Sequence, residues 1–443
     1  MSLDELTKMM REDGLPALAM SSFSHHYRQL VAGATGMIPE SAISPVASLP
    51  DADHLGDALT TLGAENLSRS VIIKLNGGLG TSMGLKTAKS LLPVKEGKSF
   101  LELIVHQARH AGCPLVLMNS FSTQADSLAV LDALPPTPGE LPRDFLQHRI
   151  PKIDRATLGP VAWPDERLRW CPPGHGDLFT ALVTRGTLAR LRAAGIRYAF
   201  VSNSDNLGAT LDPAILGHVI AGGIPFLMEV ADRTEADAKG GHLAMQDGQL
   251  ILRERAQCAE ADQATFQDHT RHRYFNTNNL WLDLDALQAR LDAGDMHLPL
   301  IRNAKTVDPR DGESTPVYQL ESAMGAAIAV FEDSAALRVP RTRFSPVKTC
   351  ADLLRVRSNA TTLTDDHRVV PAVAPPVISL DSRYYKLVGD LERRFPAGPP
   401  SLRGCRRLTV AGDWTFGAGV VVHGEVTLST DTPRVVPDGT VLR

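Results

Sequence analysis

VIIKLNGGLGTSMGLKTAKSLLPVK, residues 71–95, joins a β-branched apolar run to a glycine-rich turn and then to lysines. Val71, Ile72 and Ile73 suit a strand buried on both faces of a parallel sheet, and the run stops abruptly at Gly77, Gly78 and Gly80. Residues without Cβ let the chain reverse at positive φ and let backbone N–H groups converge on phosphate oxygens or on a base edge. Lys86 and Lys89 bring mobile positive charge to the same turn. The combination is one that binds a nucleoside triphosphate. Spacing removes two familiar glycine loops. A P-loop needs glycine before its Lys-Ser pair, and here Ala88 precedes Lys89 and Ser90. The dinucleotide fingerprint G-x-G-x-x-G, counted from Gly78 and Gly80, meets Met83 where its third glycine belongs. Neither a kinase- or GTPase-type loop nor a nicotinamide dehydrogenase is expected.

Outward from this stretch, apolar strands at 71–73, 114–118, 198–202 and 226–230 alternate with amphipathic helical patterns at 100–111 and 179–194. Alternation of this kind predicts an α/β domain with a parallel sheet over residues 51–368. Residues 1–50 carry helical patterning at 3–11 and 16–32 and a Pro/Ser/Ala-rich stretch at 39–50, and read as a helical lid or brace. Residues 369–443 hold short strands with regular glycines, LTVAGDWTFGAGVVVHGEVTL at 408–428, as a small β-solenoid (left-handed β-helix-like) domain would. A chain of 443 residues with 43% apolar content has room for a large core. Its net charge of −4, without a run of five like charges, leaves no footprint for a nucleic-acid backbone. Five scattered cysteines with no C-x-x-C pair point away from disulfides and zinc and toward a reducing cytosol. With no signal-like leader and no apolar stretch of membrane-spanning length, a soluble cytoplasmic protein is expected, a monomer rather than a higher oligomer.

Further segments carry chemistry. RYAFVSNSDNLGA (197–209) ends a strand at Asn203-Ser204-Asp205-Asn206 and sets a carboxylate at the carboxyl edge of the sheet, where open α/β sheets bind ligands. Asp205 could hold Mg2+ against phosphate oxygens, since that hard cation takes one or two carboxylates plus phosphates and water. Taken alone, the same residues are more often an Asx-capped turn. WCPPGHGDLFTAL (170–182) sets rigid prolines before Gly174-His175-Gly176-Asp177 and a helix start, a place suited to an anion or a base. Its bland reading is an Asp177 N-cap beside a surface histidine. In RYFNTNNLWLDL (273–284), alternation along an extended chain puts Asn276 and Asn278 on one face, and amides suit sugar hydroxyls because they both donate and accept. VYQLESAMGAAIAVF (317–331) reads mainly as a close-packed core helix. His106 and His110 lack the zincin glutamate, Gln107 standing there, and read as surface helix positions. Cys113 and Cys171 read as buried small apolar groups.

The pattern from Gly77 to Lys89, G-G-x-G-T-x-M-G-x-x-x-x-K, resembles that of the nucleotide-sugar pyrophosphorylases. The wording LNGGLGTSMG from Leu75 is similar to the eukaryotic-type UTP–glucose-1-phosphate uridylyltransferases, and Ala88 before the lysine, where many members have proline, is similar to trypanosomatid-like ones. VLMNS (116–120), FLQHRIPKI (145–153), PPGHGD (172–177), KGGHL (239–243), LILRERAQ (250–257) and RFSPVKTCADLLRVRS (343–358) resemble segments of the same family. The likeness implies a Rossmann-like (GT-A-like) nucleotidyltransferase core that makes UDP-glucose and pyrophosphate from UTP and glucose 1-phosphate, reversibly and with Mg2+. It implies Lys89 and Lys348 as catalytic lysines and Asp205 as the metal carboxylate. Leu75, Asn76, Gly77, Gly78, Met118, Gln147 and Gly174 would meet UTP, and His175, Asn203, Gly241, Glu254, Asn276 and Asn278 would meet glucose 1-phosphate. The expected chemistry is in-line displacement at the α-phosphorus. A phosphate oxygen is already nucleophilic, so alignment and charge neutralisation replace a general base. Within this class the rival is a pyrophosphorylase of another sugar 1-phosphate; outside it, a catalytically silent nucleotide-sensing homologue.

Overall fold

The computed structural model describes residues 2–443 except Glu140, Lys239 and Asp295, so Lys239 of the KGGHL segment lies outside the described residues. Ten strands form the main sheet: β1 (Ser44–Pro45), β2 (Ser70–Asn76), β3 (Leu115–Asn119), β4 (Asp144–Leu146), β5 (Tyr198–Asn203), β6 (Phe226–Asp232), β7 (His242–Gln246), β8 (Gln249–Arg253), β9 (Tyr274–Asp283) and β10 (Ala335–Arg338). Their order is β1-β7-β9-β5-β2-β3-β4, with β6 between β9 and β10 and with β8 on β7. The apolar run at 70–76 is buried at every position but Leu75, because β2 lies inside the sheet with β5 and β3 parallel on its two sides.

The sheet is mixed, not wholly parallel as the strand–helix alternation suggested: β9 runs antiparallel to both β5 and β6. The reason is the connection. After β6 the chain makes the β7–β8 hairpin and short helical turns instead of a long crossover helix, and it re-enters the sheet reversed. A second correction concerns residues 317–331. Pro316–Glu321 is a strand paired with Ile301–Thr306, and only Met324–Ala329 turns, as a tight 3-10 helix. Val317 and Tyr318 favour the strand, while the small residues serve close approach, since a Cβ on Gly325 would lie 2.7 Å from Leu252 Cδ2.

Helix Phe100–His110 begins at a capping box in which Ser99 and Glu102 bond each other's backbone N–H, and it buries Phe100, Leu101, Leu103, Ile104 and Val105. His106 on this helix stacks on His367 at 4.4 Å. Helices Ser2–Glu12 and Ala17–Val31 pack Leu6, Met10, Phe23 and Tyr27 against Ile150, Cys171 and Leu320. The C-terminal strands Val377–Leu380, Ser401–Ala411, Val421–Ser429 and Val441–Leu442 pair in parallel, as do Trp414–Phe416 and Arg434–Val436. Their inward Leu402, Leu408 and Phe416 belong to the apolar cluster that covers one face of the main sheet. All five cysteines are free and buried, and burial pushes the Cys113 thiol up to about 11 and that of Cys171 up to about 12, leaving both protonated and inert at neutral pH. Among the described residues no helix is long and apolar enough to cross a membrane.

Two buried charges lie beneath the strand ends. Lys74, 2% exposed, donates to Ser202 Oγ and Ala209 O, both at 2.7 Å, and burial lowers its pKa to about 7. Glu229 on β6 accepts from Arg343 Nε at 2.8 Å and Nη2 at 2.6 Å, from Trp281 Nε1 at 2.9 Å and from Asn279 Nδ2 at 2.9 Å. This network ties β6 and β9 to the segment that leads to Lys348.

Candidate active site

Where β2 ends, the glycine turn is shaped by its own backbone. Gly80 and Gly84 take φ of 66° and 77° around the 3-10 turn Thr81–Met83, and the Lys89 N–H donates to Gly78 O at 3.1 Å, folding the lysine back over the strand end. A Cβ on Gly77 would lie 3.0 Å from Gln147 Nε2, whereas one on Gly78 would meet nothing within 4 Å. Gly77 is thus packed and Gly78 bare. Ser120 Oγ donates to Gly77 O at 2.9 Å and fixes the turn from the β3 side.

A cleft of about 350 Å³ opens over the carboxyl ends of β2, β3 and β5, and Leu75, Gly77, Gly78, Lys89, Met118, Gln147, Gly174, His175, Asn203 and Asp205 line it together with Pro172 and Ser204. Lys89 Nζ donates to Asp205 Oδ2 at 2.7 Å, with the two side chains only 15% and 22% exposed. Asp205 O accepts from Val347 N–H at 3.1 Å, which brings the Lys348 segment beside this pair. Asn76 differs from its neighbours: its side chain turns away and donates to Asn119 Oδ1 and Ser127 Oγ, both at 2.8 Å, inside the sheet.

The opposite wall is the turn before helix Asp177–Thr184. Gly174 has φ of 80°, and a Cβ there would sit 2.4 Å from Ser322 O, so both conformation and space demand glycine. Gly174→Ala is expected to shift this wall and lower kcat/KM for the molecule the cleft takes on the order of 10²-fold, as a 1 Å misplacement does; steady-state kinetics reads it. His175 Nδ1 accepts from Met324 N–H at 3.0 Å, which leaves the ring proton on Nε2, and burial lowers its pKa to about 4. The half-buried ring and its Met324 hydrogen bond replace the surface-histidine reading. Because the unfolded chain protonates this histidine more readily, its contribution is fully favourable above about pH 6.5 and is lost as pH falls through the window toward 4. His175→Gln should therefore narrow the drop in urea midpoint between pH 7 and pH 5.

The residues expected to meet the sugar form a second group. Gly241 O accepts from Asn276 N–H at 3.1 Å, and a Cβ on Gly241 would lie 2.6 Å from Glu254 Oε2, so backbone and carboxyl are in contact. Burial raises the pKa of Glu254 and the nearby Lys348 ammonium pulls it back down. Asn276 Nδ2 donates to Asn278 Oδ1 at 2.8 Å while the Asn278 N–H donates to Asn276 Oδ1 at 2.8 Å. Simple alternation does not produce this pairing. Asn278 sits at φ of 59° where the β6–β9 register shifts, and the bulge turns the two amides toward each other. Lys348 is exposed, with Nζ 5.6 Å from the Phe344 ring centroid. Lys348, Gly241, Glu254, Asn276 and Asn278 do not line the cleft that holds Lys89 and Asp205. Pro172, Ser120 and Ser204 were not singled out from sequence, although each stands inside one of the motifs.

These features define a class: an α/β protein whose strand ends carry a cleft lined by glycine backbone, an amide side chain and a lysine–aspartate pair. The profile described as UTP–glucose-1-phosphate uridylyltransferase matches residues 20–423. The enzyme of that name from Saccharomyces cerevisiae is 40% identical over 393 residues, covering 85% of this chain and 77% of its own, and that from Solanum tuberosum is 39% identical over 391 residues, covering 85% and 80%. A solved mutant of UDP-glucose pyrophosphorylase from Leishmania major, in complex with UDP-glucose, superposes with a TM-score of 0.92 at 44% identity, covering 100% of this chain and 98% of that one. The chain belongs to the UTP–glucose-1-phosphate uridylyltransferase family.

Proposed function

We propose that the chain makes UDP-glucose and pyrophosphate from UTP and glucose 1-phosphate, reversibly, by in-line displacement at the α-phosphorus. The observation that carries this is the convergence of the bare Gly78 backbone, Gln147, Lys89 and Asp205 on one cleft in a member of this family. In this reading the main chain at Leu75, Gly77 and Gly78, with Met118, Gln147 and Gly174, receives uridine. His175, Asn203, Gly241, Glu254, Asn276 and Asn278 orient glucose 1-phosphate. Lys89 and Lys348 neutralise charge as the two polyanions approach, and alignment supplies the rest. Asn76 acts from beneath, through the hydrogen bonds that fix the end of β2.

A Mg2+ ion fits the donor set at Asp205, a lone cleft carboxylate to which substrate phosphates and water would add oxygen ligands. No group of three or more His, Cys, Asp or Glu that could hold a metal occurs among the described residues, so an all-protein cage is not the fitting alternative. Bound there, the ion would supply further neutralising charge. We also propose a Rossmann-like (GT-A-like) core over residues 51–368, a helical segment at 1–50 and a solenoid-like coil over 369–443, working as a cytoplasmic monomer. The parallel β5-β2-β3-β4 block and the parallel C-terminal pairings support the fold assignments. A coupled assay of pyrophosphate release from UTP with glucose 1-phosphate, galactose 1-phosphate and N-acetylglucosamine 1-phosphate tests the function. Glucose 1-phosphate is expected to give the highest kcat/KM, and no pyrophosphate with any sugar would refute it.

A further inference from the structure

Two walls of the cleft arrive from separate parts of the chain: Ile150 and Pro151 pair with Cys171 and Trp170 at one end, and a buried carboxylate joins the walls nearer the cleft. Asp177, two residues beyond His175, accepts from the His148 backbone N–H at 2.6 Å through Oδ2, and its Oδ1 lies 2.8 Å from His148 Nδ1. These side chains are 5% and 1% exposed, and His148 Nε2 lies 3.0 Å from Thr184 Oγ1. The carboxylate does not cap its own helix, where Gly176 occupies the N-cap. Both ends of this rivet adjoin cleft-lining residues: His148 follows Gln147, and the Asp177 N–H donates to Gly174 O at 3.3 Å.

Uracil and cytosine present reversed donor–acceptor edges, and a glutamine amide suits either by turning over. Its selectivity therefore depends on what fixes it against the main chain of the glycine turn. The Gln147 N–H donates to Asn119 O at 2.9 Å, and the side chain packs on Gly77. We propose that Asp177 and His148 are positioning residues that hold Gln147 and the Gly174 turn in register and so set the preference for UTP over CTP; this rests on the uridine pocket proposed above.

The test is the ratio of kcat/KM for UTP over CTP in the full chain, measured well below each variant's melting transition. Asp177→Asn cannot accept from both His148 donors and is expected to lower the ratio by at least about tenfold, a small part of what hydrogen-bonding sites achieve. His148→Ala should do the same, whereas His148→Asn, whose Nδ2 can replace Nδ1–H toward the carboxylate, should recover most of the ratio. A merely structural role would lower both substrates alike and leave the ratio unmoved, and that result overturns the proposal. If Asp177→Asn does not fold, the two His148 variants decide. A native chain that uses CTP as well as UTP would instead overturn the uridine pocket itself.

Discussion

Lys89→Ala is expected to lower kcat for pyrophosphate release by about 10²–10³-fold, equivalent to about 2.7–4 kcal/mol of barrier, the range seen when one preorganised donor to developing charge is removed. The residue is anchored at both ends, its backbone N–H on Gly78 O and its ammonium on Asp205 at 2.7 Å. Among the described residues nothing else lining the cleft carries a full positive charge, because His175 is kept neutral by burial. Lys348→Ala should fall in the same range for a different reason, since in the proposed function that exposed ammonium reaches the phosphates from beside the Asp205–Val347 contact. Rapid-quench measurement of the chemical step separates these losses from slow product release. Near-native turnover in either variant would remove that lysine from the chemistry.

Arg343→Met is expected to destabilise the fold by about 3–5 kcal/mol, because it strands the fully buried Glu229 carboxylate without its charged partner. Glu229 would keep only the Trp281 and Asn279 hydrogen bonds. Urea unfolding gives the loss directly. The double variant Glu229→Gln, Arg343→Met should recover part of it, since the stranded carboxylate is then gone.

The contrast between these sites and the sequence reading is physical. The glycine turn was legible because its signal is local: spacing, missing Cβ atoms and nearby lysines lie within a short stretch. Asp205 was legible because a polar cluster ending a buried strand must emerge at the sheet's edge. What depended on distant partners was not. β9 reverses because of a hairpin far upstream, and Asn276 faces Asn278 because of a bulge against β6. Asp177 reads as a helix cap until His148, from another segment, occupies its carboxylate. Lys74 sits within an apolar run and reveals its burial only when Ser202 and Ala209 come beside it.

A crystal structure of the chain with UDP-glucose measures the decisive arrangement. The uracil is expected against Gly78, Met118 and Gln147, with the diphosphate within hydrogen-bonding reach of Lys89 and the hexose toward Asn276 and Glu254. A nucleotide bound with its base outside that pocket, or a diphosphate remote from Lys89, would contradict the proposed division of labour in the cleft.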